Sequence, residues 1–337
     1  MSPEDKHYFY DMVATVAEKL KHRHDGSLIR QHFSDTRLKE VENNITQSDA
    51  QDLEWAYWQP FFLFHRDASD AEIDALDDDL RLVSDRTPQG KSQVCKFLVD
   101  KRETSSPWTS GLFEVFAKAA LLKSDVLSVD ALDCGLLNGR IIDAKVKIGK
   151  RTVGIEMSTL GESNQSEQRW EKHCKEISKD KSKLFYDCQD AYTQGRRLFD
   201  KVYEKIAPKF NQTKSQLLPK LPNLLLISFS PVISDLTSNS PSIGWALDEL
   251  FASQPNGNTS EAISLQVFLQ RKLTADSTSL KELLAAPRQV SGILLFNGCK
   301  LGHTRINYNA AAECRISHDE MSVIERVLAQ PPPYFPC

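Results

Sequence analysis

The sequence predicts an α/β protein preceded by a mostly helical N-terminal region, and three observations carry that prediction. The first hundred residues space their apolar side chains at helical intervals, as in Tyr8, Met12, Val16 and Leu20. Beyond Pro107 the pattern changes to alternating helical and strand-like segments, the signal of a sheet with helices packed on it. Two late apolar runs, NLLLISFS (Asn223 to Ser230) and SGILLFN (Ser291 to Asn297), are unbroken, as expected of parallel strands covered on both faces. The reading divides the chain into a helical region, 1–105, and an α/β core with C-terminal strand and helix additions, 106–337.

In chain order, Trp55, Trp58, Phe61 and Phe62 continue the helical spacing, and the aromatic run from Trp55 to Phe64 reads as core rather than as a base-stacking platform. His22 and His24 stand two apart and face different sides of a helix, so no metal site is expected there. Between Arg66 and Arg86 eight acids face three arginines, a segment that would repel a phosphate backbone. A helix is expected over 110–123, a weak strand near Val126 to Leu132, and two strands at 140–148 and 151–158. A long helical stretch follows from Gln165 to Phe210, broken before the next strand by Pro208, Pro219 and Pro222. From Gly161 to Lys220 thirteen bases face nine acids, a mildly basic flank. Helices near 243–253 and 261–273 precede the last strand.

Composition narrows the function. With 40% hydrophobic and 26% charged residues and a net charge of −4 over 337 residues, the chain can bury a real core. No apolar run approaches the roughly 20 residues of a membrane span, so no membrane association is expected. The start MSPEDKHYFYDMV lacks the basic-then-apolar pattern of a secretory signal. Seven scattered cysteines without a C-x-x-C spacing read as reduced thiols of a cytoplasmic protein, not as zinc or redox motifs. There is no Gly-rich phosphate loop, H-E-x-x-H or G-x-S-x-G. His303 and Arg305, after the last strand, read as ordinary loop polarity with substrate contact as the alternative.

The most specific information lies in RIIDAKVKI-GK-RTVGIEMST. Gly149-Lys150 has the Gly-first pattern of a two-residue type II′ turn. If Ile148 pairs with Arg151, Asp143 falls opposite Glu156 and Lys145 opposite Gly154. Alternation then puts Ile142, Ala144, Val146, Ile148, Val153, Ile155 and Met157 on an apolar face. Ile141, Asp143, Lys145, Lys147, Thr152, Gly154, Glu156 and Ser158 share the other. That polar face is either solvated or functional. Directly opposed like charges, with Cβ atoms about 5 Å apart, destabilise a sheet, and a divalent cation such as Mg²⁺ removes the repulsion by taking both carboxylates as ligands.

In these residues, 108–160 resemble the active-site segment of the PD-(D/E)xK nuclease superfamily. The resemblance implies a restriction-endonuclease-like α/β/α core with a mixed central sheet, running helix, three strands, helix, strand. Carried over, Glu114 in WTSGLFEVFAKAAL resembles the helix acid, Asp143 in IID the metal-binding aspartate, and Glu156 in IEMS the first residue of (D/E)xK. Ile142 stands where the motif has proline, and Ser158 where it has lysine. The resemblance therefore implies Glu114, Asp143 and Glu156 as ligands for Mg²⁺, with Mn²⁺ as a substitute. Lys145, on the face of Asp143 and diagonal to Glu156, is the first candidate for the missing cation. Lys172 and Lys175 come next and are also candidate nucleic-acid contacts. Ser158 keeps a hydroxyl at the lysine's place. Glu114 has an ordinary alternative, a surface ion pair with Lys118 at i,i+4.

The expected function is metal-dependent hydrolysis of phosphodiester bonds by an endonuclease or exonuclease, in DNA rather than RNA. The alternative is a catalytically inactive module of the same fold that binds nucleic acid or a protein partner. A third reading makes the helical N-terminal region the functional surface of an assembly or regulatory protein. A homo-oligomer is compatible with all three.

Overall fold

The computed structural model describes residues 3–47, 65–88, 106–136, 141–160, 217–218, 220–229, 286–301, 307–310 and 312–334. The chain divides into two compact units, Met1–Lys123 together with Pro331–Cys337, and Ser124–Gln330.

Among its described residues the first unit carries the helices α1 (Pro3–Lys21), α2 (Leu28–His32), α3 (Asp35–Gln47), α4 (Asp70–Arg86) and α5 (Ser106–Lys123). Helix α1 buries Met12, Val13, Val16 and Leu20 at the three-and-four spacing of one helical face. Tyr8 leaves the stripe expected for it. It is 41% exposed while Phe9 is buried, because its hydroxyl accepts from the Arg66 guanidinium, which also lies 5.4 Å from its ring centre. Leu112, Val115 and Ala119 place α5 in the same core as α1, α3 and α4. The sequence pattern alone places this helix at the start of the α/β core, 106–337.

The acid-rich segment forms α4, and its acids have distinct tasks. Ser69 and Glu72 form a capping box, with Glu72 Oε2 accepting the Ser69 N–H at 2.6 Å. These bonds hold the Glu72 carboxyl below its ordinary pKa. Asp77, buried, accepts the Ile29 N–H at 3.1 Å and pairs with Arg81 at 3.2 Å. Asp79, also buried, accepts the Tyr334 hydroxyl at 2.8 Å and pairs with Lys123. Tyr334 is itself fully buried, which ties the C-terminal segment into this unit.

Among its described residues the second unit contains a mixed seven-stranded sheet, so the α/β class expected from the sequence holds. Its strands are β1 (Ser128–Gly135), β2 (Ile141–Ile148), β3 (Arg151–Leu160), β4 (Asn223–Phe229), β5 (Gly292–Asn297), β6 (Lys300–Leu301) and β7 (Asn307–Tyr308). They lie in the order β1-β2-β3-β4-β5-β6, with β7 also paired to β5. The first three are antiparallel, and β3, β4 and β5 run parallel. Every residue of β4 is buried, which accounts for the unbroken apolar run.

The hairpin between β2 and β3 has the predicted register, Ile148↔Arg151 through Ala144↔Ile155. Gly149 adopts φ +61°, as the first central residue of a type II′ turn requires. Strand β1 runs to Gly135, past the expected end at Leu132. It carries a register shift between Val129 and Ala131 and a left-handed residue, Asp133, at φ +45°. Both features interrupt the alternation by which a strand is recognised.

The starts of the parallel strands are fastened by Asn223. Its Oδ1 accepts the Leu218 N–H at 2.8 Å, and its Nδ2 donates to the carbonyls of Leu218 and Leu221 at 2.9 Å and of Gln289 at 3.2 Å. Gly154 is needed beside it, since a Cβ there would meet Asn223 Oδ1 at 2.6 Å and Ile142 Cδ1 at 2.9 Å. Helix α6 (His318–Leu328) begins with a second capping box, Ser317 with Glu320. Arg151 at the start of β3 donates to Glu320 at 3.0 Å. The aromatic run Trp55 to Phe64 and the helices expected within 165–210, 243–253 and 261–273 lie outside the described residues.

Candidate functional site

Three acids stand in one row across β1, β2 and β3. Leu132↔Ala144 and Cys134↔Ile142 flank Asp133 and Asp143, which puts these two aspartates opposite each other. Carboxylate oxygens of the two lie within 4.8 Å of one another. On the other side of β2 the next step beyond Ala144↔Ile155 is Asp143 with Glu156. The backbone ladder stops one pair short of that step. There the Asp143 side chain takes over, its Oδ2 accepting the Met157 N–H at 2.6 Å.

The row is not a solvated face. Glu156 is 1% exposed and Asp133 6%, while Asp143 is half-buried. Two unit charges within 4.8 Å of each other repel by at least about 3 kcal/mol at an effective dielectric of about 20. The Met157 N–H offsets part of this on Asp143, because a charge-assisted hydrogen bond favours the ionised form. All donors in the row are carboxylate oxygens, the set a hard divalent cation such as Mg²⁺ prefers. Asp133 and Asp143 therefore fit such an ion, whose charge would offset the repulsion between them, and Glu156 is the next acid along the row.

The remaining candidates are placed as follows. Lys145 Nζ donates to Cys134 Sγ at 3.2 Å and, among the described residues, makes no carboxylate contact within 4.0 Å. Lys147, two positions along the same strand, pairs with Asp130 at 2.9 Å. Ser158 is 9% exposed and registers with Ile227 of β4. Glu114 belongs to the first unit, where its carboxylate is half-buried and accepts from Lys118. That contact is the i,i+4 pair anticipated as its ordinary role. Lys172, Lys175, His303 and Arg305 lie outside the described residues.

Asp133 is the member of the row that the sequence reading missed. The signal for it is the segment SVDALDCG. The register shift between Val129 and Ala131 and the left-handed backbone of Asp133 hide its place opposite Asp143 from a two-residue period.

Comparison of the chain with protein-family models, with curated proteins and with solved structures gives no match.

Proposed function

We propose that this protein is a divalent-metal-dependent nuclease of the restriction-endonuclease-like fold, acting on DNA in preference to RNA. The observation that carries the reading is the row Asp133, Asp143 and Glu156, with two of its carboxylates within 4.8 Å and the third buried. The antiparallel β1, β2 and β3 followed by the parallel β4 also support it, being compatible with the strand order the resemblance implies.

In this reading Asp143 and Glu156 would hold Mg²⁺ or Mn²⁺, with Asp133 as a further carboxylate. A divalent cation supplies Lewis acidity toward a phosphodiester and makes water a better nucleophile near neutral pH. The Met157 N–H keeps Asp143 oriented. Ser158 can donate a hydrogen bond to the attacking water but brings no charge. Lys145 supplies the positive charge that the motif lysine would have brought, by turning its flexible side chain from Cys134 toward the scissile phosphate. Lys172 and Lys175 contact the phosphate backbone.

The experiment is incubation of the full chain with supercoiled plasmid, linear duplex, single-stranded DNA and RNA, each with Mg²⁺, Mn²⁺ or EDTA. Cleavage that needs the metal, is abolished in Asp143→Ala and Glu156→Ala, and falls about tenfold or more in Lys145→Ala supports the reading. Absence of cleavage by the wild type with every metal and substrate contradicts it. Salt-dependent nucleic-acid binding without cleavage would establish the second reading, a binding module, which the serine at 158 and the Lys145–Cys134 contact favour.

A further inference from the structure

We infer that the helical first unit carries a binding site for a tyrosine-bearing proline segment, and that residues 331–337 of this chain fill it as a releasable intramolecular ligand. The site belongs to the first unit and does not depend on the metal row.

The chain leaves the first unit at Lys123 and returns to it only at Pro331. Just before the return, Leu328 closes α6 as a buried residue of the second unit. Ala329, Gln330 and Pro331 follow, all three exposed. The segment that comes next reads Pro-Pro-Tyr, with Pro332 and Tyr334 buried and Pro333 exposed between them. It therefore enters the helical unit by alternate side chains. Prolines have no N–H to add to a backbone ladder, so inserted side chains carry the hold. They also have little backbone freedom to lose, which lowers the entropy cost of docking such a segment.

Tyr334 is the anchor. Its side chain is fully buried in the core cluster that holds Leu76 and Leu80 of α4 and Leu112 and Val115 of α5. Its hydroxyl donates to Asp79 Oδ2 at 2.8 Å, and the other oxygen of Asp79 receives the Lys123 ammonium. Asp79 is only 4% exposed. A buried carboxylate is a costly lining for a purely apolar pocket, because donors must replace the water it gives up. It suits a phenol, whose ring fills the apolar part while the hydroxyl supplies a charge-assisted hydrogen bond. The pocket thus selects tyrosine over phenylalanine, the residue next door at 335, since a phenylalanine would leave Asp79 Oδ2 without that donor. Covalent attachment gives the internal segment a high effective concentration. An external peptide of the same chemistry enters once that attachment is cut.

The test inserts a protease recognition sequence between the exposed Ala329 and Gln330 and cuts the folded full chain there. After gel filtration, fluorescein-labelled peptide of residues 330–336 is added and its anisotropy followed. The expected result is binding to the cut protein and none to the uncut one. The same peptide with phenylalanine at 334 should bind about tenfold or more weakly, and with alanine at 334 not at all. A cut segment that never leaves, a cut protein that binds no peptide, or equal binding of the tyrosine and phenylalanine peptides would overturn the inference. Hydrogen–deuterium exchange on the unaltered wild type is a second readout that no insertion can disturb. Peptides covering 334–337 should exchange together and about tenfold or more faster than those of α1; exchange as slow as that of α1 would equally overturn release.

Discussion

The Asp143 side chain completes a ladder that its own backbone leaves, accepting the Met157 N–H at 2.6 Å one step beyond the last β2–β3 pair, Ala144↔Ile155. The carboxylate thus has a structural task and, in the proposed function, a chemical one, and two substitutions separate them. Asp143→Asn keeps an oxygen to accept the N–H but loses the charge. It should denature within about 1 kcal/mol of the wild type while cleaving at least about a hundredfold more slowly. Asp143→Ala should lose cleavage and about 1–3 kcal/mol of stability together. Urea denaturation and cleavage rates on both variants decide; an Asn variant that cleaves normally would remove Asp143 from the chemistry.

Gly154 has no room for a side chain. A Cβ would come within 2.6 Å of Asn223 Oδ1 and 2.9 Å of Ile142 Cδ1, closer than packed atoms tolerate. Gly154→Ala should destabilise the sheet unit by about 1–3 kcal/mol, seen as a lower denaturation midpoint. An unchanged midpoint would show that Asn223 can move at little cost.

Asn223 is 2% exposed and its side chain makes four hydrogen bonds to backbone groups of three residues. Removing it strands buried donors and acceptors at the starts of β4 and β5. Asn223→Ala should cost about 3 kcal/mol or more, and Asn223→Asp should also destabilise, because a carboxylate cannot donate to the three carbonyls. Equal stability of the Asp variant would mean that the Nδ2 contacts contribute little.

His65 gives the first unit a pH dependence of known sign. Burial, with the charges of Arg23, Lys19 and His32 adding to it, holds its imidazole well below the ordinary 6.5. As pH falls below 6.5 the unfolded chain takes up a proton that the folded chain refuses, so stability declines, by at most about 1.4 kcal/mol per pH unit. Asp67 and Glu72, whose carboxyls are held low, contribute at lower pH, where their stabilisation is lost in turn. Denaturation midpoints between about pH 7 and pH 5.5 should fall in the wild type and fall less in His65→Phe. Parallel curves for the two proteins would contradict this assignment.

The legible parts of the fold are those where one local rule governs several residues at once. Gly149-Lys150 fixed the hairpin register through a single turn, and the apolar runs around Leu225 and Leu294 announced buried parallel strands. Helix α1 was legible to within one position, Tyr8 turning outward to Arg66. Asp133 was not legible, because the shift between Val129 and Ala131 and its own left-handed backbone break the two-residue period just before it. The contact of Lys145 with Cys134 was hidden for the same reason. Alternation assigns a lysine to a face but does not say which neighbour its four-carbon stem will reach.

Calorimetric titration of the protein with Mn²⁺, without any substrate, tests whether the row Asp133, Asp143 and Glu156 holds a divalent cation as proposed. Binding by the wild type that is lost in Asp143→Asn and weakened in Asp133→Asn, with both variants folded by circular dichroism, is the predicted result. No Mn²⁺ binding by the wild type, or binding unchanged in Asp143→Asn, would contradict the account.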